Sequence, residues 1–161
     1  MKNNEAIKKE ETLKYMNFNR YLIVRYFIAG YIFMNFFWGI VNFSYSGLLA
    51  LLPFVLMIWG IVASVELSSK LSHKENNRVP ITLLYFYLQA LTNVVLAIIS
   101  FTGIGKLAFP FIYANNAKSI ILAILLLGLI LALKSISNLY RIQENSDRYY
   151  SVIQKFKETS K

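Results

Sequence analysis

The chain contains no cysteine, one histidine, three prolines and eight acidic side chains in 161 residues. Without cysteine there can be no disulfide, thiolate metal site, cysteine nucleophile or lipidated cysteine. The lone His73 cannot build a histidine-rich metal centre, and no cluster of carboxylates accompanies it. It lies beside Ser72 and Lys74 in a hydrophilic loop, the ordinary setting of a solvated histidine. No H-E-x-x-H, G-x-x-x-x-G-K-[ST] or G-x-S-x-G pattern occurs. The sequence therefore predicts no catalytic residue, no cofactor and no metal, and a non-enzymatic protein.

Charge is also scarce. Only 16% of residues are charged, where a soluble domain carries about 25%. The apolar residues, 57% of the chain, gather into long runs, and the mean hydropathy is +0.48. Residues 26–65 include no charged side chain at all. A bilayer core about 30 Å thick needs roughly 20 apolar helical residues, so this stretch crosses a membrane twice, turning at 42–47. Pro80 opens a third apolar segment at a position that proline favours in helices. A fourth follows from Ser119. Spans are expected at about 21–43, 47–68, 80–101 and 119–140. Gly60 with Ser64 and Gly128 with Ala132 provide small-xxx-small spacings for close helix approach.

The flanking segments complete the layout. Residues 1–20 mix lysine and glutamate and read as a solvated, partly ordered tail ahead of a first span that stays in place as a signal anchor. Residues 106–118 are aromatic, include Pro110 and are too short to span, so they are expected to lie at the interface, with a re-entrant segment as the alternative. Residues 141–161 form a basic amphipathic tail. Leu139, Ile142, Tyr149, Ile153 and Phe156 recur at gaps of 3, 7, 4 and 3, which suggests the fourth helix running on out of the membrane as an amphipathic extension that lies along the membrane surface or under the bundle, with a partner helix as the alternative.

Most of the 17 basic residues fall on one side of these spans; only Lys106 and Lys118 fall on the other. The positive-inside rule then puts both termini in the cytoplasm, beside anionic headgroups. The net charge of +9 is read as this bias and not as a nucleic-acid signal. The fold class expected is an all-α membrane protein: a four-transmembrane-helix bundle, both termini cytoplasmic, with an amphipathic C-terminal helical extension.

Polar groups near or within the spans are the candidate sites, because such groups are costly in lipid and find partners. Asn35 and Asn93 should lie at similar depth, with Gln89 one turn below Asn93 on the same face, either as interhelical hydrogen bonds or as the lining of a substrate path. Arg25, Glu66 and Lys134 fall at one face, either as an ion pair stitching the helices together or as three side chains reaching separately to the headgroups.

The runs NFNRYLIVRYFIAGYIFMNFFW, VELSSKL and IQENSDRYY resemble a group of small four-span membrane proteins of low-GC Gram-positive bacteria. Some of these carry a label as a cellobiose phosphotransferase subunit. A phosphocarrier of that system resembles a soluble helical domain with a phosphorylatable histidine, whereas His73 stands alone in a short loop. The resemblance therefore implies the class of protein and no functional residues. The expected role is a non-enzymatic accessory or scaffolding subunit of the bacterial cytoplasmic membrane, including an immunity- or resistance-like role, with a membrane-protein partner or self-association. The alternative is a small oligomeric transporter or channel using the polar residues inside the bundle. In that case Glu66 is the candidate proton-coupling group, as the acidic residue that touches a span.

Overall fold

The computed structural model describes residues 2–43, 47–70, 77–102, 105–109 and 117–159. They form helices α1 (Lys2–Phe43), α2 (Leu51–Ser69), α3 (Pro80–Ile99), α4 (Gly105–Ala108), α5 (Ala117–Gln143) and α6 (Arg148–Thr159), with a 3-10 turn, Gly47–Ala50, leading into α2. Four of the helical segments are long and apolar enough to cross a membrane, which makes this a multi-pass membrane protein.

The contacts set the helix directions. Arg25 reaches Leu67, while Gly39 faces Phe54 and Gly60 faces Ile32, so α1 and α2 are antiparallel. Tyr87 bonds Tyr140 and Asn93 faces Gly128, so α3 and α5 are antiparallel too. Tyr31 meets Tyr85 and Asn35 meets Gln89, placing α1 and α3 parallel. The result is an up-down-up-down bundle in which α2 and α5 each lie beside α1 and α3.

The inward seam of α1 comprises Tyr21, Val24, Ile28, Tyr31, Asn35 and Asn42, an alternation of three- and four-residue steps that keeps one stripe facing its neighbours. Tyr31, Tyr85 and Phe86 meet edge to face at the centre of the bundle. Leucine, isoleucine, valine and phenylalanine crowd the outside, for example Phe33, Phe37, Val65, Leu91 and Ile130. In lipid that arrangement carries no hydrophobic penalty, and association rests on packing and interior hydrogen bonds. Gly60 has the role its spacing suggests, since a Cβ there would lie 2.9 Å from Ile32 and 3.1 Å from the Tyr85 hydroxyl. Pro53 sits in the first turn of α2, where a helix tolerates proline.

Two flanking segments differ from the sequence reading. Residues 2–20 are not a loosely ordered tail; they are helical, and α1 runs without a break for 42 residues, about 63 Å at 1.5 Å per residue. The C-terminal segment does not continue α5 outward. Asn145 adopts φ 54°, and the Ser146 N–H bonds the Arg141 carbonyl while the Asn145 N–H bonds that of Ile142. This is a Schellman stop with asparagine in the left-handed position. Asp147 then caps α6, its carboxylate accepting the Tyr150 N–H at 3.1 Å. The chain turns at 144–147, and α6 packs back on α1.

Candidate functional site

Two places collect polar groups: a clasp at the end of the bundle that carries the chain termini, and a cleft toward the opposite end.

Arg20 is the centre of the clasp. Its side chain is 4% exposed and forms a 2.5 Å ion pair with Asp147. Its Nε also donates to both carboxylate oxygens, at 3.2 and 3.1 Å. The Nη2 group donates to the Ile142 carbonyl at 3.2 Å and to Asn145 Oδ1 at 3.1 Å, and the guanidinium lies 5.3 Å from the centre of the Tyr150 ring. One cation thus satisfies an end carbonyl of α5, the turn asparagine and the capping aspartate of α6. Asn77 adds a bond to Asn145 Oδ1 at 2.8 Å.

The expected group of Arg25, Glu66 and Lys134 does not form an ion pair. Arg25 donates to the Leu67 carbonyl at 2.9 Å and covers the Phe18 ring. Glu66 accepts from the Ile81 and Thr82 backbone N–H groups at 3.2 and 2.7 Å, and from the Thr82 hydroxyl at 2.7 Å. Lys134 is exposed. The reason is local. The unsatisfied carbonyls ending α2 attract the guanidinium, and the free N–H groups starting α3 attract the carboxylate. Each charge is matched to a helix end at shorter range than to the other charge.

The proposed partner face is divided in the same way. Leu139, Ile142 and Ile153 are buried inside the chain, Phe156 is half-buried and Tyr149 is exposed, so the five do not present one outward surface. His73 and most of 106–118 lie outside the described residues. Of the latter, Ala108 and Phe109 fold inward. Trp38 stacks on Phe109 and donates its indole N–H to the Ala108 carbonyl at 3.1 Å.

The three amides do come together. Asn35 Nδ2 donates to Gln89 Oε1 at 3.1 Å across the bundle, one helical turn from Asn93 on α3. All three line a cleft of about 430 Å³ between α1 and α5, two helices that touch only thinly. Tyr31 donates its hydroxyl to the Gly128 carbonyl. A Cβ on Gly128 would lie 2.7 Å from Asn93 Nδ2, so glycine there is what admits the amide. That Nδ2 is buried against Gly128, with the Tyr31 hydroxyl beside it. Arg20, Asp147 and Asn145 were not singled out from the sequence, although Asn-Ser-Asp at 145–147 is a readable helix stop followed by a helix cap.

No protein-family model, curated protein or solved structure matches this chain.

Proposed function

We propose that the protein is a non-enzymatic accessory or scaffolding subunit of the bacterial cytoplasmic membrane, with both termini in the cytoplasm, that works by holding a partner. The observation that carries this reading is the clasp. It joins the first half of α1, which extends beyond the length a span requires, to α6, and so holds a two-helix platform at the basic end of the bundle. Ile7, Tyr15, Tyr149 and Val152 are exposed on these helices, among Lys8, Lys14, Arg148 and Lys155. A platform held by a buried ion pair offers a partner a preorganised surface at little ordering cost. The partner is another membrane protein or a second copy of this chain, and an immunity- or resistance-like protein that occupies a membrane target works by the same contact.

The test is purification at native expression level in mild detergent, beside an Asp147→Ala chain. A stoichiometric partner kept by the parent and lost from the variant supports the reading. A lone homo-oligomer that is indifferent to Asp147 counts against it.

The convergence of Asn35, Gln89 and Asn93 favours a second reading, a small oligomeric transporter or channel. In that reading, Asn35→Leu or Gln89→Leu abolishes flux of the carried solute in proteoliposomes while the chain stays folded. Glu66→Gln abolishes it as well if Glu66 couples protons; flux unchanged in that variant removes the proton-coupled form.

A further inference from the structure

Arg25 is a charge at the edge of a span with no opposite charge paired to it. α2 has 19 residues, about 28 Å at 1.5 Å per residue, close to the roughly 30 Å thickness of a hydrocarbon core. The ends of α2 therefore mark the boundaries of that core. Leu67 lies two residues before the end of α2, and its carbonyl accepts the Arg25 Nη2–H at 2.9 Å. The guanidinium also stands 4.8 Å from the centre of the Phe18 ring, about two turns back along α1. The side chain thus reaches toward the end that carries the termini, and its charge stands where hydrocarbon gives way to headgroups.

Among the described residues no carboxylate neutralises it. Glu66, the acid beside Leu67, is committed to the start of α3, and Asp147 is paired with Arg20. The next charge along α2 is another cation, Lys70 at the C-cap. The Arg25 side chain is half-buried. Its Nη2 is held by Leu67 and its Nε is buried, which leaves Nη1 as the donor open to a ligand. A guanidinium fixed in this way by a carbonyl and a ring is oriented in advance, and a phosphate oxygen is its matched acceptor. A zwitterionic headgroup would bring an ammonium group toward Lys70, which like charge disfavours.

We propose that Arg25 anchors a binding site for the phosphate of an anionic phospholipid, with Nη1 donating to a phosphate oxygen and Lys70 adding a second positive charge from the end of α2. A free phosphate shares this oxyanion chemistry, and the position at the edge of the hydrocarbon core is what favours the lipid. The site is separate from the clasp and does not depend on the accessory-subunit reading.

The experiment titrates phosphatidylglycerol into the full chain in an uncharged detergent and counts bound lipid by native mass spectrometry, with phosphatidylcholine as the zwitterionic comparison. The expected result is a first phosphatidylglycerol held more tightly than any phosphatidylcholine. Arg25→Gln should weaken that first lipid by about tenfold or more, the worth of a hydrogen bond to a charged group. Lys155→Gln makes the same change in net charge at an exposed position of α6 and should leave binding within about twofold of the parent. Lys70→Gln should weaken it about fivefold, and it decides the matter should the Arg25→Gln chain misfold.

Equal losses in the Arg25→Gln and Lys155→Gln chains would mean attraction to net charge alone and would overturn the site, as would a Lys70→Gln chain that binds like the parent. Equal affinity for phosphatidylcholine would overturn the selection of an anionic headgroup. Displacement of the bound lipid by inorganic phosphate would overturn the lipid as ligand and give the site to a soluble anion.

Discussion

Replacing Asp147 with alanine should detach α6 from the bundle. The side chains of Arg20 and Asp147 are 4% and 12% exposed, so solvent does little to relieve the guanidinium once its partner is gone. Removing one member of such a buried pair costs about 3–5 kcal/mol, and loss of the helix cap adds about 1 kcal/mol. Asp147→Asn separates the two effects, because the amide oxygen can still accept the Tyr150 N–H while the charge is gone. The absence of cysteine provides a clean assay. Ile153 is 3% exposed, so a single cysteine placed there reacts with a maleimide only when α6 lifts away, and its labelling rate follows the open population. A loss of about 3 kcal/mol corresponds to a rate increase of roughly 150-fold, with alanine about fivefold faster than asparagine. The double variant Arg20→Met with Asp147→Asn, which removes both charges and keeps the cap, should return to within about tenfold of the parent. Labelling of the Asp147→Ala chain within about threefold of the parent would refute the argument that this pair holds α6.

Three further outcomes follow from other contacts. Glu66→Ala removes the acceptor for the first N–H groups of α3 and should cost about 1–2 kcal/mol, whereas Glu66→Gln should cost less; thermal unfolding in detergent ranks the two. Gly30→Ala, with open space at its Cβ, should stabilise α1 by up to about 1 kcal/mol. Gly60→Ala, which drives a Cβ to 2.9 Å from Ile32, should destabilise by about 1–3 kcal/mol, and the same melts should show shifts of opposite sign. Asn35→Leu leaves Gln89 Oε1 without its donor, and adding Gln89→Leu should recover part of the loss; a double-mutant cycle is expected to give about 0.6–2 kcal/mol for the pair.

Much of the architecture was legible along the chain because lipid imposes a one-dimensional rule. A span must be long, apolar and internally hydrogen-bonded, so uncharged runs such as 26–65 mark spans directly. Helix starts and stops were readable where a residue acts on its own backbone, as Pro80 does. The Asn145–Asp147 stop was equally local, but the apolar spacing of Leu139, Ile142 and Ile153 pointed to continuity. That spacing was real, and it marked burial within the chain on both sides of a turn.

What only the tertiary structure decided is which polar groups meet. Asn35, Gln89 and Asn93 were visible as costly polar residues within spans, but it is Gln89, one turn from Asn93, that meets Asn35, and the space they line lies between α1 and α5 with α3 behind it. Arg25 and Glu66 looked like a pair by depth and sign, yet each found a helix end nearer than the opposite charge. Arg20, which in the sequence is one basic residue in a mixed tail, became the most heavily bonded side chain of the clasp because α6 folds back over it. The sequence by itself determined the four long apolar helices, since hydration acts residue by residue, but not the helicity of residues 2–20 or the break before α6. Which donor reaches which acceptor depended on how the helices pair and tilt, because a hydrogen bond is made within about 3 Å and no spacing along the chain specifies that distance.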